Sequence, residues 1–156
     1  MPDYISYLRG MVGHNKVIMV AAGAFVFDAD NRLLLQLRSD TGNWGHPGGF
    51  MELHETVTET AVRETYEETG LRLGKLDLFG IYSGVNHEQS LKNGDEVAIV
   101  KVVFTCRQYE GTLLDSNEES AALRFFALDE LPDNLFPSQG HEFADLLSGG
   151  TPPFIR

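Results

Sequence analysis

The stretch that decides the fold runs from Gly49 to Leu71 and reads GFMELHETVTETAVRETYEETGL. It announces a helix with both ends marked. Thr56 is an N-cap residue, and Glu59 three positions later completes the reciprocal pattern of a capping box. Gly70 supplies the residue that ends such a helix in a left-handed turn. At 100° per residue, Thr58, Val62, Thr65, Tyr66 and Thr69 share one side, which predicts the packing stripe. Glu64, Glu67 and Glu68 gather on the other side. Like charges at spacings of three and four cost about 0.2–0.5 kcal/mol per pair. Only Arg63 is basic between residues 63 and 70, so the three glutamates either disperse into solvent or surround a cation.

Working outward, Tyr4, Ile5, Leu8 and Met11 recur at helical spacing and predict a short N-terminal helix ending near Gly10 or Gly13. Val17 to Phe27 is apolar on both faces, the mark of a strand covered on two sides. The turn DADNR and the run LLLQLR then predict a hairpin with it. A glycine-rich loop from Thr41 to Phe50 leads into the central helix. After it, LDLFGIYS reads as a strand, Gly84 to Asp95 as a polar loop, and EVAIVKVVFTC as a strand whose Ala98, Val100, Val102, Phe104 and Cys106 share an apolar face. Glu110-Gly111 reads as a turn, ALRFFAL as a further strand and SQGHEFADLL as a C-terminal helix. Strands flanking one capped helix, with a second helix at the end, predict an α+β or α/β layered sandwich around a mixed sheet.

The composition narrows the function. A chain of 156 residues, 42% hydrophobic, suits one domain with a sizeable core. Its net charge of -11, from 23 acids against 12 bases, argues against a nucleic-acid polymer or an anionic membrane as partner. An acidic protein still accepts a small phosphorylated ligand that arrives with a cation. No run approaches a membrane span of about 20 apolar residues, and the first residues lack a secretory apolar core. The single cysteine, Cys106, lies in an apolar strand, which predicts a buried, inert thiol and a reduced, cytoplasmic setting.

The quoted stretch resembles the Nudix box, G-x5-E-x7-R-E-apolar-x-E-E-x-G-apolar, with Gly49, Glu55, Arg63, Glu64, Glu67, Glu68, Gly70 and Leu71 in register. One position departs: Thr65 fills the apolar slot after Arg-Glu. The resemblance implies a Nudix-type α/β/α sandwich. It also implies a MutT-like, metal-dependent pyrophosphohydrolase that cleaves the diphosphate of a nucleoside diphosphate linked to another moiety. It divides the chain into a helical extension over 1–15, one hydrolase domain over 16–150 and a tail over 151–156. By the same resemblance Glu64, Glu67 and Glu68 are the catalytic and metal-ligating residues, with Glu64 the alternative activator of water and the Gly48 carbonyl an added ligand. Mg²⁺ is the implied ion, with Mn²⁺ as substitute. Gly49, Glu55, Arg63 and Gly70 support the box structurally. Glu118 and Glu119 are candidates for an auxiliary acid, as are Asp95 and Glu96.

The bare chemistry agrees. Mg²⁺ takes oxygen ligands from one or two carboxylates plus substrate phosphate, and a cation relieves the repulsion among the three glutamates. Arg38 and Trp44 are candidate substrate contacts, weighed against a surface ion pair and simple packing under the loop. His46, His54 and His87 are assigned no ligand role. Two rival functions stand beside the first: a nucleoside triphosphate pyrophosphohydrolase that clears oxidised nucleotides, and a nucleotide sensor that does not hydrolyse. The sensor is disfavoured by the intact Glu67-Glu68 pair. No proline stands about fifteen residues past Leu71, where the family's ADP-ribose hydrolases often carry one. The apolar N-terminal helix is a candidate homodimer contact or packs on its own domain.

Overall fold

A computed structural model describes residues 3–156; the first two residues of the N-terminal extension lie outside them. Helix α1 spans Tyr4–Val12, capped by the Asp3 side chain and ended at Gly13. Strands β1 (Val17–Val26), β4 (Gly48–Phe50), β6 (Leu76–Tyr82), β7 (Glu88–Ser90), β8 (Glu96–Cys106) and β11 (Phe154–Ile155) form the main sheet, in the order β11-β6-β8-β1-β4 with β7 on β8. It is mixed: β1 runs parallel to β8 and β11 parallel to β6, while β4, β6 and β7 pair antiparallel. A second sheet joins β10 (Ser120–Phe126), β2 (Leu33–Arg38) and β3 (Trp44–Gly45); a third joins β5 (Leu71–Leu73) and β9 (Tyr109–Gly111).

Strand alternation on β1 builds the sandwich. Ala22, Ala24 and Val26 point to one side and pack with Ala61 of α2 (Val57–Thr69). Phe25 points to the other and packs with Phe79 and with Phe143 of α3 (Gly140–Leu147). The strand is covered on both faces, as its unbroken apolar run predicts, and each such aromatic or branched side chain contributes about 1.5–3 kcal/mol on burial. Ile5 and Leu8 of α1 close a third cluster over Met19, Val97 and Ile99, whereas Tyr7 and Met11 are exposed.

Five expectations change. The β1–β2 hairpin does not form: the strands share only the Phe27–Leu33 bridge, after which β2 leaves to pair with β10. Asp28 holds the turn tightly, accepting from the Asp30 and Arg32 backbone N–H groups. The glycine-rich loop contains β3 and β4, and β4 adds an edge to β1. Gly111 lies at the end of β9 rather than in a free turn, and the polar loop after β6 contains the short strand β7.

The packing face of α2 is the fifth correction. The capping box and the left-handed Gly70 are present, but the buried residues are Thr60, Ala61, Thr65, Glu68 and Thr69, and Tyr66 is exposed. The buried stripe is turned toward Glu68, so one carboxylate of the acidic face lies inside the protein. A polar residue on the facing strand makes this tolerable: Gln36 follows Leu34 on the same side of β2 and meets Glu68 there.

Candidate active site

The loop before α2 is locked to it by a two-bonded ion pair. Arg63 Nε and Nη2 donate to the Glu55 carboxylate at 2.6 and 3.0 Å, and Nη2 also donates to the Phe50 carbonyl at 3.1 Å. The guanidinium holds the Glu55 carboxyl far below its usual range, at about 2. Nη1 reaches Glu64 at 2.9 Å and Glu67 at 3.4 Å, so Arg63 itself relieves part of the repulsion along the acidic face.

Glu68 is only 5% exposed. Its Oε2 accepts from the Gln36 side-chain amide at 3.0 Å and the Gly48 backbone N–H at 3.1 Å. Gln36 is held in turn by Ser120, whose hydroxyl donates to it at 2.7 Å. Burial pushes the Glu68 carboxyl up to about 8, and the Glu64 carboxylate pushes it further in the same direction. Burial also raises Glu64, against the pull of Arg63 and with Glu67 and Glu119 adding to the rise. This is an acidic site short of positive charge.

These groups line a cleft of about 780 Å³ that brings Glu64, Glu67, Glu68, Gly48, Glu118 and Glu119 together with Arg38. Asp95 and Glu96 lie outside it: Asp95 pairs with Arg9 and His14, and the Glu96 carbonyl accepts from Arg9. Trp44 lines no part of the cleft; its ring meets Phe126 edge-on at 4.9 Å between centroids. Gly49 has no side chain where Glu64 sits, and Gly70 turns the chain out of the helix at φ 82°. Among the described residues no three His, Cys, Asp or Glu side chains form a ready-made cation cage; Glu67 leans on Arg63.

A second cavity of about 480 Å³ adjoins the first and shares Arg38, Asp40, Gly48, Gly49 and Phe50 with it. Its wall is largely apolar, from Ala21, Ile99, Val102, Val103 and Phe136, with Lys101, Gln139 and Glu142 in its lining. Arg38 stands at the junction, stacked 4.3 Å from the Phe136 ring centroid and bonded to Asp40. Sequence reasoning missed Gln36, Lys101 and Glu142. The signal for the first two was a lone polar residue inside an apolar strand, LLLQLR and AIVKVVF.

No helix among the described residues is long and apolar enough to cross a membrane. A family model described as NUDIX domain matches residues 17–146. A MutT-like protein from Streptomyces ambofaciens is 32% identical over 133 residues, covering 85% of this chain and 79% of that protein. An ADP-ribose pyrophosphatase from Methanocaldococcus jannaschii is 33% identical over 114 residues, covering 71% of this chain and 63% of that protein. A MutT NUDIX hydrolase from Burkholderia pseudomallei, known from its crystal structure, matches with a TM-score of 0.70 at 28% identity, over 83% of this chain and 98% of that one.

Proposed function

This chain belongs to the NUDIX domain family and is a pyrophosphohydrolase, and from that premise we propose that it cleaves the diphosphate of a nucleoside diphosphate linked to a second moiety. The observation that carries this reading is the junction of the two cavities. An acidic cleft suited to a metal-bound diphosphate opens directly into a pocket of a size and polarity suited to a nucleoside, with Arg38 between them. The named relative from Methanocaldococcus jannaschii, an ADP-ribose pyrophosphatase, supports the same substrate class.

Nudix hydrolases generally use divalent metal ions, and the donor set here fits one. Glu64 and Glu68 are carboxylates raised first by burial and then by neighbouring carboxylates, with too few cations nearby, and oxygen donors of this kind suit Mg²⁺, with Mn²⁺ the substitute. Glu64, Glu67, Glu68 and the Gly48 carbonyl would hold the ion. When bound it offsets diphosphate charge and lowers the pKa of attacking water.

The chain's own groups supply the rest. Gln36 and Gly48 fix the Glu68 carboxyl, and the Glu55–Arg63 pair fixes the loop against the helix, so the acids are positioned before substrate arrives. Arg38 donates to a phosphate oxygen at the junction. Water attacks one phosphorus, the bridging P–O bond breaks, and the products are a nucleoside monophosphate and the phosphorylated second moiety. The water's proton passes to a cleft carboxylate; Glu64 and Glu119 are the candidates that line it.

The test is a Mg²⁺-dependence assay on ADP-ribose, nucleotide sugars, dinucleoside polyphosphates, NTPs and oxidised dNTPs, with Glu67→Gln and Glu68→Gln alongside. Metal-dependent cleavage of diphosphate-linked substrates, lost in both variants, is the expected result. Turnover confined to triphosphates, with pyrophosphate released, replaces this reading with the triphosphate one. Nucleotide binding without any turnover replaces it with the sensor.

A further inference from the structure

The nucleoside pocket carries a buried charge cluster that the diphosphate reading leaves unused. Glu142, on the inward face of α3, is 0% exposed, and both of its carboxylate oxygens lack a hydrogen-bond partner. Lys101, on the face of β8 that also bears Val103, brings Nζ to 3.5 Å from Glu142 Oε1, and it also donates to the Ser138 carbonyl. His46 Nε2 is 3.7 Å from the same oxygen and is likewise unpartnered; its Nδ1 lies at the Pro47 carbonyl, 3.0 Å away. Gln139 is occupied, bonding the His46 backbone at both N–H and carbonyl. Glu142, Lys101, Ser138, His46 and Gln139 all line the cavity.

A buried carboxylate whose oxygens make no hydrogen bond is costly even with the Lys101 ammonium 3.5 Å from one of them, since taking water from a polar group without a replacement hydrogen bond costs free energy. A ligand edge that satisfies both oxygens at once is therefore selected over one that satisfies a single oxygen. The pocket offers a donor from Lys101 beside two acceptors from Glu142. Among the nucleobases, guanine presents the complement, a carbonyl oxygen followed by two N–H donors. Adenine and cytosine each present one amino donor beside an acceptor, and uracil one N–H between two carbonyls, so each leaves one Glu142 oxygen unmet. We propose that Glu142, with Lys101 beside it, reads the polar edge of a guanine base in this pocket. The inference rests on the nucleotide-hydrolase reading above and narrows its substrate to guanine nucleotides.

The test is binding of GMP, IMP, AMP and UMP to the whole protein in Mg²⁺ buffer by calorimetry. Wild type is expected to bind GMP roughly 10- to 100-fold more tightly than AMP or UMP, with IMP, which lacks the second N–H, in between. Glu142→Gln exchanges one acceptor for a donor and is expected to bring the GMP-to-AMP ratio close to one while the fold, read by circular dichroism, persists. Equal binding of the four nucleotides by wild type overturns the proposal whatever the variant does, as does an unchanged preference in a folded Glu142→Gln. Hydrolysis of GDP-mannose and GTP, each against its adenine counterpart, tells which kind of substrate carries the base. Metal-dependent hydrolysis without base preference overturns the guanine assignment alone, whereas no hydrolysis of any anhydride overturns the reading beneath it.

Discussion

Gly49 and the Glu64 carboxyl compete for one volume: a Cβ on residue 49 would lie 2.5 Å from Glu64 Oε2. The glycine is required for this close approach between β4 and α2 rather than for a turn, since its φ is not positive. Gly49→Ala therefore displaces the Glu64 side chain, and with Glu64 in its proposed role a misplacement of about 1 Å costs on the order of 100-fold in rate. The expected result is a folded protein whose kcat/KM falls by about that factor. A variant with wild-type kcat/KM would remove Glu64 from the site.

The Glu55–Arg63 pair sets a pH signature. The Glu55 carboxyl is held at about 2, below its ordinary 4.5, first by the Arg63 bonds. A depressed carboxyl stabilises the folded state above the unfolded value, and the contribution is lost as pH falls from about 4.5 to about 2. Arg63 is 29% exposed, so solvent screening limits the cost of Glu55→Gln to on the order of 1–2 kcal/mol at pH 7. Urea unfolding of both proteins is expected to show that gap narrowing as pH drops through this window. A gap independent of pH would mean that the loss is packing, not charge.

The helix that carries the candidate site was legible in the sequence because its key signals are local. The capping box, the glycine stop and the glutamate spacing are all settled within one helix, and the helix forms between Val57 and Thr69 as its end signals specify. What was not legible depends on partners distant in sequence. Glu68 turns inward because Gln36, 32 residues earlier, waits on β2, and a helical wheel holds no information about that. The β1–β2 hairpin failed for the same reason: turn chemistry at Asp28 fixes the reversal, but strand choice is decided by β8 and β10. Lys101 and Glu142 meet only when α3 folds back over β8.

Thr65, the departure from the apolar slot, is fully buried and its hydroxyl has no partner. Thr65→Val keeps the shape and removes the unmet group. The expected gain is about 1 kcal/mol, or about 2–4 °C in Tm for a chain of this size, with activity unchanged. A lower Tm would indicate that an ordered water satisfies the hydroxyl.

With Glu68 in the metal-holding role proposed for it, substitution there separates metal binding from folding. Its carboxyl is buried beside Glu64, and a charge in that position is costly without a cation. In Glu68→Gln the side-chain oxygen still accepts from Gln36 and Gly48, while the second polar atom carries no charge to repel Glu64. The metal-free variant is therefore expected to melt no lower than metal-free wild type. Added Mg²⁺ should raise the Tm of wild type, because a ligand that binds only the folded state stabilises it, and should raise that of the variant far less. Hydrolysis should fall by at least 100-fold, the scale set by removing one group that stabilises developing charge. Equal Mg²⁺-induced shifts in the two proteins would place the cation elsewhere in the cleft and leave Glu68 as an internal strut for the Gly48 loop.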